Sequence, residues 1–128
     1  MPQTITPYLL YEDADAAVRF VTEAFGFREV ERAGGAGGGV HVELRLPPSD
    51  AQLYVGAPVE GFSNPATVGR TSLLYVLVED VDAHYARARD AGAEIVEEPN
   101  TLPFGHRRYG CRDPQGHEWF FAQVLDGS

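Results

Sequence analysis

The hydrophobic and polar positions of this 128-residue chain follow the same order twice. Each copy begins with a short apolar run, "YLLY" at 8–11 or "LLYVLV" at 73–78, which is typical of a strand. Apolar residues at helical spacing follow each run: Ala17, Phe20, Val21 and Ala24 in the first copy, and Val81, Tyr85 and Ala88 in the second. The pattern predicts one amphipathic helix per copy, ended by Gly26 or Gly92.

Three carboxylates lie between each apolar run and its helix: Glu12, Asp13 and Asp15 first, then Glu79, Asp80 and Asp82 at the same offsets. Such a cluster could hold a divalent cation, but a calcium loop needs more oxygen ligands at wider spacing and a bidentate acid further along. Asp13 and Asp80 stand where a helix N-cap belongs. The acids after them would complement the positive end of the helix dipole. We predict that both clusters are helix starts.

Alternating segments follow each helix and complete the repeat. They cover 27–33, 40–46 and 51–58 in the first copy, and 93–98, 106–112 and 117–124 in the second. The glycine run 34–39 is predicted to be a hairpin tip, 99–105 a loop, and "DPQG" a type I turn. The chain is thus predicted to be one domain, 1–128, with two β-α-β-β-β modules at about 5–57 and 72–124. Residues 58–71, rich in Pro, Gly, Ser and Thr, form the connector.

Three segments carry a family resemblance: "PYLLYEDADAAVRFVTEAFGFREV", "YVLVEDVDAHYARARDAGAEI" and "PFGHRRYGCRDPQGHEWFF". With them the chain resembles the vicinal oxygen chelate superfamily, also called the glyoxalase/bleomycin-resistance family, over nearly its whole length. The resemblance implies an α+β fold in which two β-α-β-β-β modules pair into an open, cup-shaped, eight-stranded mixed sheet. It also implies a homodimer, and in the enzymes a divalent metal held in the cup by His, Gln and Glu.

The metal-ligand positions that the resemblance implies do not carry metal-binding residues here. They fall on Thr6, Tyr54, Leu73 (with Ser72 beside it) and Phe120. Zinc, nickel and iron sites use imidazole and carboxylate donors. Two slips of the alignment would bring in Glu118 and Gln52, but no histidine. We therefore expect no metal and no cofactor.

What the sequence offers the cup instead is an aromatic and apolar surface with a few polar groups, as in many ligand pockets. The candidate ligand-binding residues are Tyr8, His41, Glu43, Tyr54, Leu73, Tyr75, Phe104, Arg108, Glu118 and Phe120. His41 and Glu43 alternate with the apolar Val40, Val42 and Leu44, so they point into the cup if the apolar face packs on the helix. This pair could transfer protons, or it could be a solvated strand face.

The other reactive residue types are expected to be structural. His84 and His106 are predicted to be exposed, on a helix surface and at a strand start. His117, Trp119 and Phe121 should face the helix layer, which makes Trp119 part of the core. Cys111 is expected to be a buried, unreactive thiol.

Charge and composition narrow the classes of partner. The formal net charge is −9, with ten arginines and no lysine; we expect no nucleic-acid partner, because binding to phosphates requires a basic face. The same charge would attract a cationic ligand. We expect no membrane segment and no signal peptide. A single cysteine cannot form an internal disulfide, and the expected location is therefore cytoplasmic.

The sequence-based hypothesis is a metal-independent, homodimeric small-molecule-binding protein, leaning away from an enzyme. Its specific form is resistance by sequestration of an aromatic cationic antibiotic. One alternative is a lyase, isomerase or dioxygenase that uses a metal at a misaligned site or His41 and Glu43 as acid and base. Another alternative is a regulatory module that binds a metabolite.

Overall fold

The computed structural model describes residues 3, 5–34, 39–58, 61–63, 65–69 and 72–125. The chain divides into two compact units, Met1–Asn64 and Pro65–Ser128. In the described residues eight strands form two four-stranded mixed sheets, one in each unit, which confirms the fold class. The two modules correspond to these units, while the expectation of a single domain stays a prediction.

The first unit has the element order β-α-β-β-β. Its elements are β1 (Tyr8–Leu10), α1 (Ala14–Phe25), β2 (Arg28–Gly34), β3 (Val40–Leu46) and β4 (Ala51–Gly56). The strands are arranged in the order β1-β4-β3-β2. β1 runs parallel to β4, and the other neighbours are antiparallel. β1 and β2 are therefore the two edge strands, and α1 forms the connection that crosses the sheet between them.

The second unit repeats this order after a short additional helix. Its elements are α2 (Pro65–Val68), β5 (Leu74–Leu77), α3 (Val81–Asp90), β6 (Glu94–Thr101), β7 (His106–Arg112) and β8 (Glu118–Val124). The strand order β5-β8-β7-β6 matches that of the first sheet, again with a parallel pair, β5 and β8, at one side. The helix α2 lies inside the predicted connector, where the sequence indicated only an irregular segment.

Alternation along the strands sorts the residues of each sheet onto two faces. In the first sheet Val42, Leu44 and Val55 are fully buried, whereas His41, Glu43 and Tyr54 remain partly exposed. The buried face belongs to the core with the apolar side of α1, namely Ala17, Val18, Val21, Ala24 and Phe25. Phe20, predicted for that side, is only half-buried and contacts the edge of Phe25. We call the opposite side of each sheet its far face.

The core of the second unit is more aromatic. Tyr109, Cys111, Trp119 and Phe121 are fully buried on the face that packs with Val81 and Ala88 of α3. The Trp119 and Phe121 rings are stacked with centroids 5.9 Å apart. The Trp119 indole donates to the Asp113 carboxylate over 3.1 Å. The predicted core position of Trp119 and the predicted burial of Cys111 are confirmed.

Both acid clusters start helices, as predicted. Asp13 accepts a hydrogen bond from the Ala16 amide over 2.9 Å, and Asp80 accepts one from the Ala83 amide over 3.1 Å. Gly26 ends α1 with φ of 86°. α3 is capped at its C-terminus by Ala91, one residue before the predicted Gly92, which follows with φ of 103°.

Other boundaries differ modestly from the sequence prediction. β6 continues to Thr101, so the loop before β7 is shorter than the predicted 99–105. The Asp-Pro turn is confirmed by the hydrogen bond that the Gly116 amide donates to the Asp113 carbonyl over 3.0 Å. Most of the predicted hairpin tip lies outside the described residues. No helix in the described part of the chain is long and apolar enough to cross a membrane.

Candidate functional site

The far face of the first sheet brings together four of the candidate residues, from three strands. Tyr8 of β1, Tyr54 of β4 and Glu43 of β3 are successive neighbours in the strand register. The Tyr8 hydroxyl lies 2.6 Å from Nδ1 of His41, and Nε2 of His41 lies 2.9 Å from a Glu43 carboxylate oxygen. A hydrogen-bonded chain therefore runs from an exposed phenol through an imidazole to a carboxylate.

Aromatic contacts hold this chain in place. The Tyr54 ring meets Tyr8 edge-on with centroids 5.7 Å apart, and His41 at 5.0 Å. His41 and Glu43 are about three-quarters buried, whereas Tyr8 is 48% exposed. Of the three linked groups, Tyr8 is thus the one most accessible to a bound molecule. Arg45, next along the same face, pairs with Asp50 and not with Glu43.

The far face of the second sheet is built around Arg108. Its guanidinium lies 4.9 Å from the centroid of the Phe120 ring and 5.9 Å from that of Tyr75. Phe120 faces Gly110 on the neighbouring strand, where an added Cβ would come within 2.7 Å of the Phe120 ring. Glycine at this position therefore lets the ring lie across the strand under the guanidinium.

A partly buried ion pair with Glu97 fixes Arg108 in this position. Its Nε donates to Glu97 over 2.8 Å, and Asn100 donates to the same carboxylate over 2.9 Å. The hydrogen bond from Arg108 is the main reason why the pKa of Glu97 is lowered below 4.5, with Asn100 adding to it against the effect of burial. The same hydrogen bond raises the pKa of Arg108. The sequence analysis missed both residues: Glu97 lay inside the predicted strand 93–98 without a known partner, and Asn100 fell in the predicted loop because β6 extends beyond its predicted end.

His106 belongs to this face as well, contrary to the prediction that it is exposed. It is half-buried, with Nδ1 2.8 Å from the Tyr75 hydroxyl, and Phe104 contacts its ring with centroids 5.0 Å apart. The sequence could have indicated this position, because His106 is two residues before Arg108 in β7 and therefore lies on the same face. Tyr75 and Phe104 themselves are 41% and 63% exposed.

Two candidate residues lie apart from these clusters. Leu73 immediately precedes β5, outside the strand pairing, and is 45% exposed. Glu118 is on the same face as Phe120 but only 3% exposed, with Nε of Arg112 3.6 Å away. Burial leaves Glu118 little surface to offer a ligand in this structure, and its placement among ligand contacts stays a prediction.

The donors at the implied metal positions do not fit a zinc, nickel or iron ion. Thr6, Tyr54, Leu73 and Phe120 offer one hydroxyl, one phenol and two hydrocarbon side chains. Within the described ranges there is no group of three or more His, Cys, Asp or Glu side chains that could hold a metal ion. The first-sheet cluster contains only two such residues, His41 and Glu43, and they are joined to each other.

Two further titratable residues have structural roles. His84 is half-buried, unlike its predicted exposure, because its Nδ1 lies 2.6 Å from the Tyr109 hydroxyl and its ring lies 4.2 Å from Phe121. Burial, with smaller effects from Asp113 and Glu118, raises the pKa of Cys111 to about 12. The thiol is therefore protonated and unreactive at neutral pH.

None of the ten candidate residues lines the cavity of about 380 Å³ in the second unit. Its lining includes Pro65, Gly92, Glu94, Arg112 and Gly116. Arg112 is already paired with Glu94 at 3.1 Å. The described residues that line the cavity include no aromatic side chain, and the far faces remain the better candidates for a functional site.

A protein-family model matches residues 4–121: the glyoxalase/bleomycin resistance protein/dioxygenase superfamily. An uncharacterised protein of Mycobacterium bovis is 33% identical over 126 residues, covering 94% of this chain and 83% of the relative. Among solved structures, TioX from Micromonospora sp. ML1 is 32% identical with a TM-score of 0.75, covering 97% of this chain and 100% of TioX. TnmS3, an antibiotic binding protein from Streptomyces sp. CB03234, is 24% identical with a TM-score of 0.70, covering 97% and 98%.

Proposed function

Since this chain belongs to the glyoxalase/bleomycin resistance protein/dioxygenase superfamily, we propose that it binds a small organic molecule on the far faces of its sheets. The observation that carries the proposal is the set of partly exposed aromatic side chains on these faces: Tyr8, Tyr54, Tyr75 and Phe120, with Phe104 beside them. Aromatic surface next to a few oriented polar groups is the usual composition of a ligand site.

The specific form of the proposal is sequestration of an aromatic, cationic antibiotic. Aromatic rings supply stacking and burial, and the net charge of −9 attracts cations at long range. That TnmS3 is an antibiotic binding protein supports this form at the level of a shared fold. The proposal includes a homodimer, which a solution mass of twice 14.0 kDa would establish, and a cytoplasmic location.

Thermal-shift and calorimetric titration with bleomycin and flat aromatic cations tests this proposal. We expect a higher melting temperature and a weaker apparent affinity at high salt. Tyr54→Ala and Phe120→Ala should each weaken binding by more than about tenfold. Tyr85→Ala is the matched control, because Tyr85 is a half-buried aromatic on α3.

Two results would contradict the proposal. One is a panel of aromatic cations that leaves the melting temperature unchanged. The other is mass spectrometry that finds a bound compound converted to product, since sequestration requires the ligand to be released intact. Uncharged analogues of the same ring systems serve as controls for the contribution of the protein's charge.

Independence from metal is part of the proposal and has its own test. Treatment with a chelator should leave the melting temperature unchanged, because an ion bound only to the folded state would have been stabilising it. Elemental analysis of protein purified without chelator is the second readout. Stoichiometric zinc, nickel, iron or manganese would support the metalloenzyme alternative instead.

A further inference from the structure

For an ionised Glu43 and a neutral His41, the hydrogen-bonded chain on the first sheet fixes where its protons lie. An ionised carboxylate can only accept, so Nε2 of His41, 2.9 Å from Glu43, must carry a hydrogen. A neutral imidazole has only one N–H, which leaves Nδ1 as an acceptor. Nδ1 lies 2.6 Å from the Tyr8 hydroxyl, and the Tyr8 proton is therefore donated to His41.

The consequence is a polarised surface group. The Tyr8 hydroxyl proton is used in the hydrogen bond to His41, so the hydroxyl can only accept a hydrogen bond from a bound molecule. Tyr8 is 48% exposed, and within the described ranges its hydroxyl has no hydrogen-bond partner except His41. A molecule that covers Tyr8 without offering a donor would leave an acceptor buried and unsatisfied, which costs binding free energy.

We propose that Tyr8 is a specificity-determining residue that selects ligands carrying an O–H or N–H donor on or beside an aromatic ring, and that His41 and Glu43 are positioning residues for it. The aromatic part of this requirement comes from Tyr54, whose ring stands edge-on to Tyr8 with centroids 5.7 Å apart. The inference rests on the proposed function and adds the chemical group that the ligand must present.

The second unit contains a natural contrast. Tyr75 also lies beside an imidazole, at 2.8 Å from Nδ1 of His106, but in the described part of the chain no carboxylate pairs with His106. The tautomer of His106 is therefore not set in the same way. Tyr75 in addition interacts with the guanidinium of Arg108, a competing donor. The structure thus assigns the donor requirement to Tyr8 and not to Tyr75.

The binding test uses pairs of probes in which methylation removes the donor. 2-Naphthol is compared with 2-methoxynaphthalene, and 1-naphthylmethylammonium with its N,N,N-trimethyl derivative, by isothermal titration calorimetry. The donor-bearing member should bind about tenfold more tightly than its methylated counterpart, the effect of one net hydrogen bond. Tyr8→Phe should abolish this ratio, and Tyr75→Phe should retain it.

A second measurement reads the positioning residues without any ligand. The ¹⁵N shifts of His41 should identify the Nε2–H tautomer in the wild-type protein. Glu43→Gln should remove the fixed tautomer and reduce the affinity ratio, because an amide can either donate or accept. If Glu43→Gln retains both the Nε2–H tautomer of His41 and the affinity ratio, Glu43 is not a positioning residue, and that part of the proposal is overturned.

The remaining outcomes separate this inference from the proposed function. Equal affinity for both members of each pair, or a His41 that carries protons on both nitrogens, overturns the inference while aromatic binding still stands. Failure of every probe to bind overturns the proposed function for this class of ligand, and the inference falls with it. Circular dichroism of each variant establishes that it is folded.

Discussion

The far faces of the two sheets start from the same backbone plan and differ in where their charges lie. On the first, a tyrosine, a histidine and a glutamate form a chain that ends in a carboxylate. On the second, a tyrosine again meets a histidine, but the dominant charge is Arg108, held by Glu97 over aromatic rings. One face thus exposes a phenol oriented as an acceptor, and the other a cation lying over aromatic rings.

Much of this difference comes from two positions in the strand register, since Arg108 of β7 stands at the place that His41 occupies in β3, and Gly110 at the place of Glu43. Glu43 of β3 faces Tyr54, whereas at the matching place in β7 Gly110 faces Phe120. A glutamate can accept from the imidazole two residues before it on the same face. A glycine instead leaves space for a ring, over which Arg108 then lies. A duplicated fold can therefore acquire two distinct surfaces through a few substitutions on one face.

The largest loss of stability is expected from truncating one large core side chain in each unit. Trp119→Ala should lower the free energy of unfolding by about 3–5 kcal/mol, and Leu53→Ala, at the matching position of the first unit, by about 2–5 kcal/mol. Trp119 and Leu53 are both buried, and the Trp119→Ala substitution also removes the hydrogen bond to Asp113. Chemical denaturation measures both; Val124→Ala, largely exposed, is the control and should cost less than about 0.5 kcal/mol.

Adding a methyl group at the two far-face glycines should perturb the two surfaces in different ways. In Gly56→Ala the new Cβ would lie 2.8 Å from the Tyr8 ring, so the ring must shift and its contact with His41 is disturbed. In Gly110→Ala the Phe120 ring must move from under Arg108. Each change should cost about 1–3 kcal/mol. Loss of the ¹⁵N signature of His41 only in Gly56→Ala would support two independent surfaces, whereas a change in both would contradict them.

The helix caps should show where the two units are alike. Asp13→Ala and Asp80→Ala should each cost about 1 kcal/mol of stability, because each aspartate accepts one amide hydrogen bond at a helix start. The corresponding asparagine variants should keep most of that stability. Thermal denaturation measures the loss; a loss of ligand affinity at unchanged stability would instead mean that the acid clusters contact a ligand.

The smallest expected effect concerns the titration of Glu97. Its pKa in the folded state is lowered below 4.5, so the stability that it contributes is fully present above pH 4.5. That contribution is lost as the pH falls through the lower, folded-state pKa. Arg108→Met should raise the pKa of Glu97 by removing its main hydrogen-bond donor, as measured by carboxyl ¹³C shifts. An unchanged pKa would mean that Arg108 does not hold Glu97 in solution.

Local patterns were sufficient to predict most elements and the two sheet faces. Strand alternation placed His41 and Glu43 opposite the buried Val42 and Leu44, because successive side chains of a strand point to opposite sides. Helical spacing and the acids before it predicted both caps, since capping involves residues only three positions apart. Helix α2 escaped prediction because its single turn, Pro65–Val68, is too short for a periodic pattern.

The sequence by itself therefore determined the repeat, the start of each helix and the face of each strand residue, all of which depend on neighbours along the chain. Only the tertiary structure decided that Tyr8 meets His41, 33 residues away, and that Arg108 pairs with Glu97 while its guanidinium lies over the Phe120 ring. The tertiary structure also places His84 in contact with Tyr109 and His106 in contact with Tyr75, although both histidines were predicted to be exposed. The physical reason is that periodicity fixes a side chain's direction, whereas its partners depend on which strands pair and in what register.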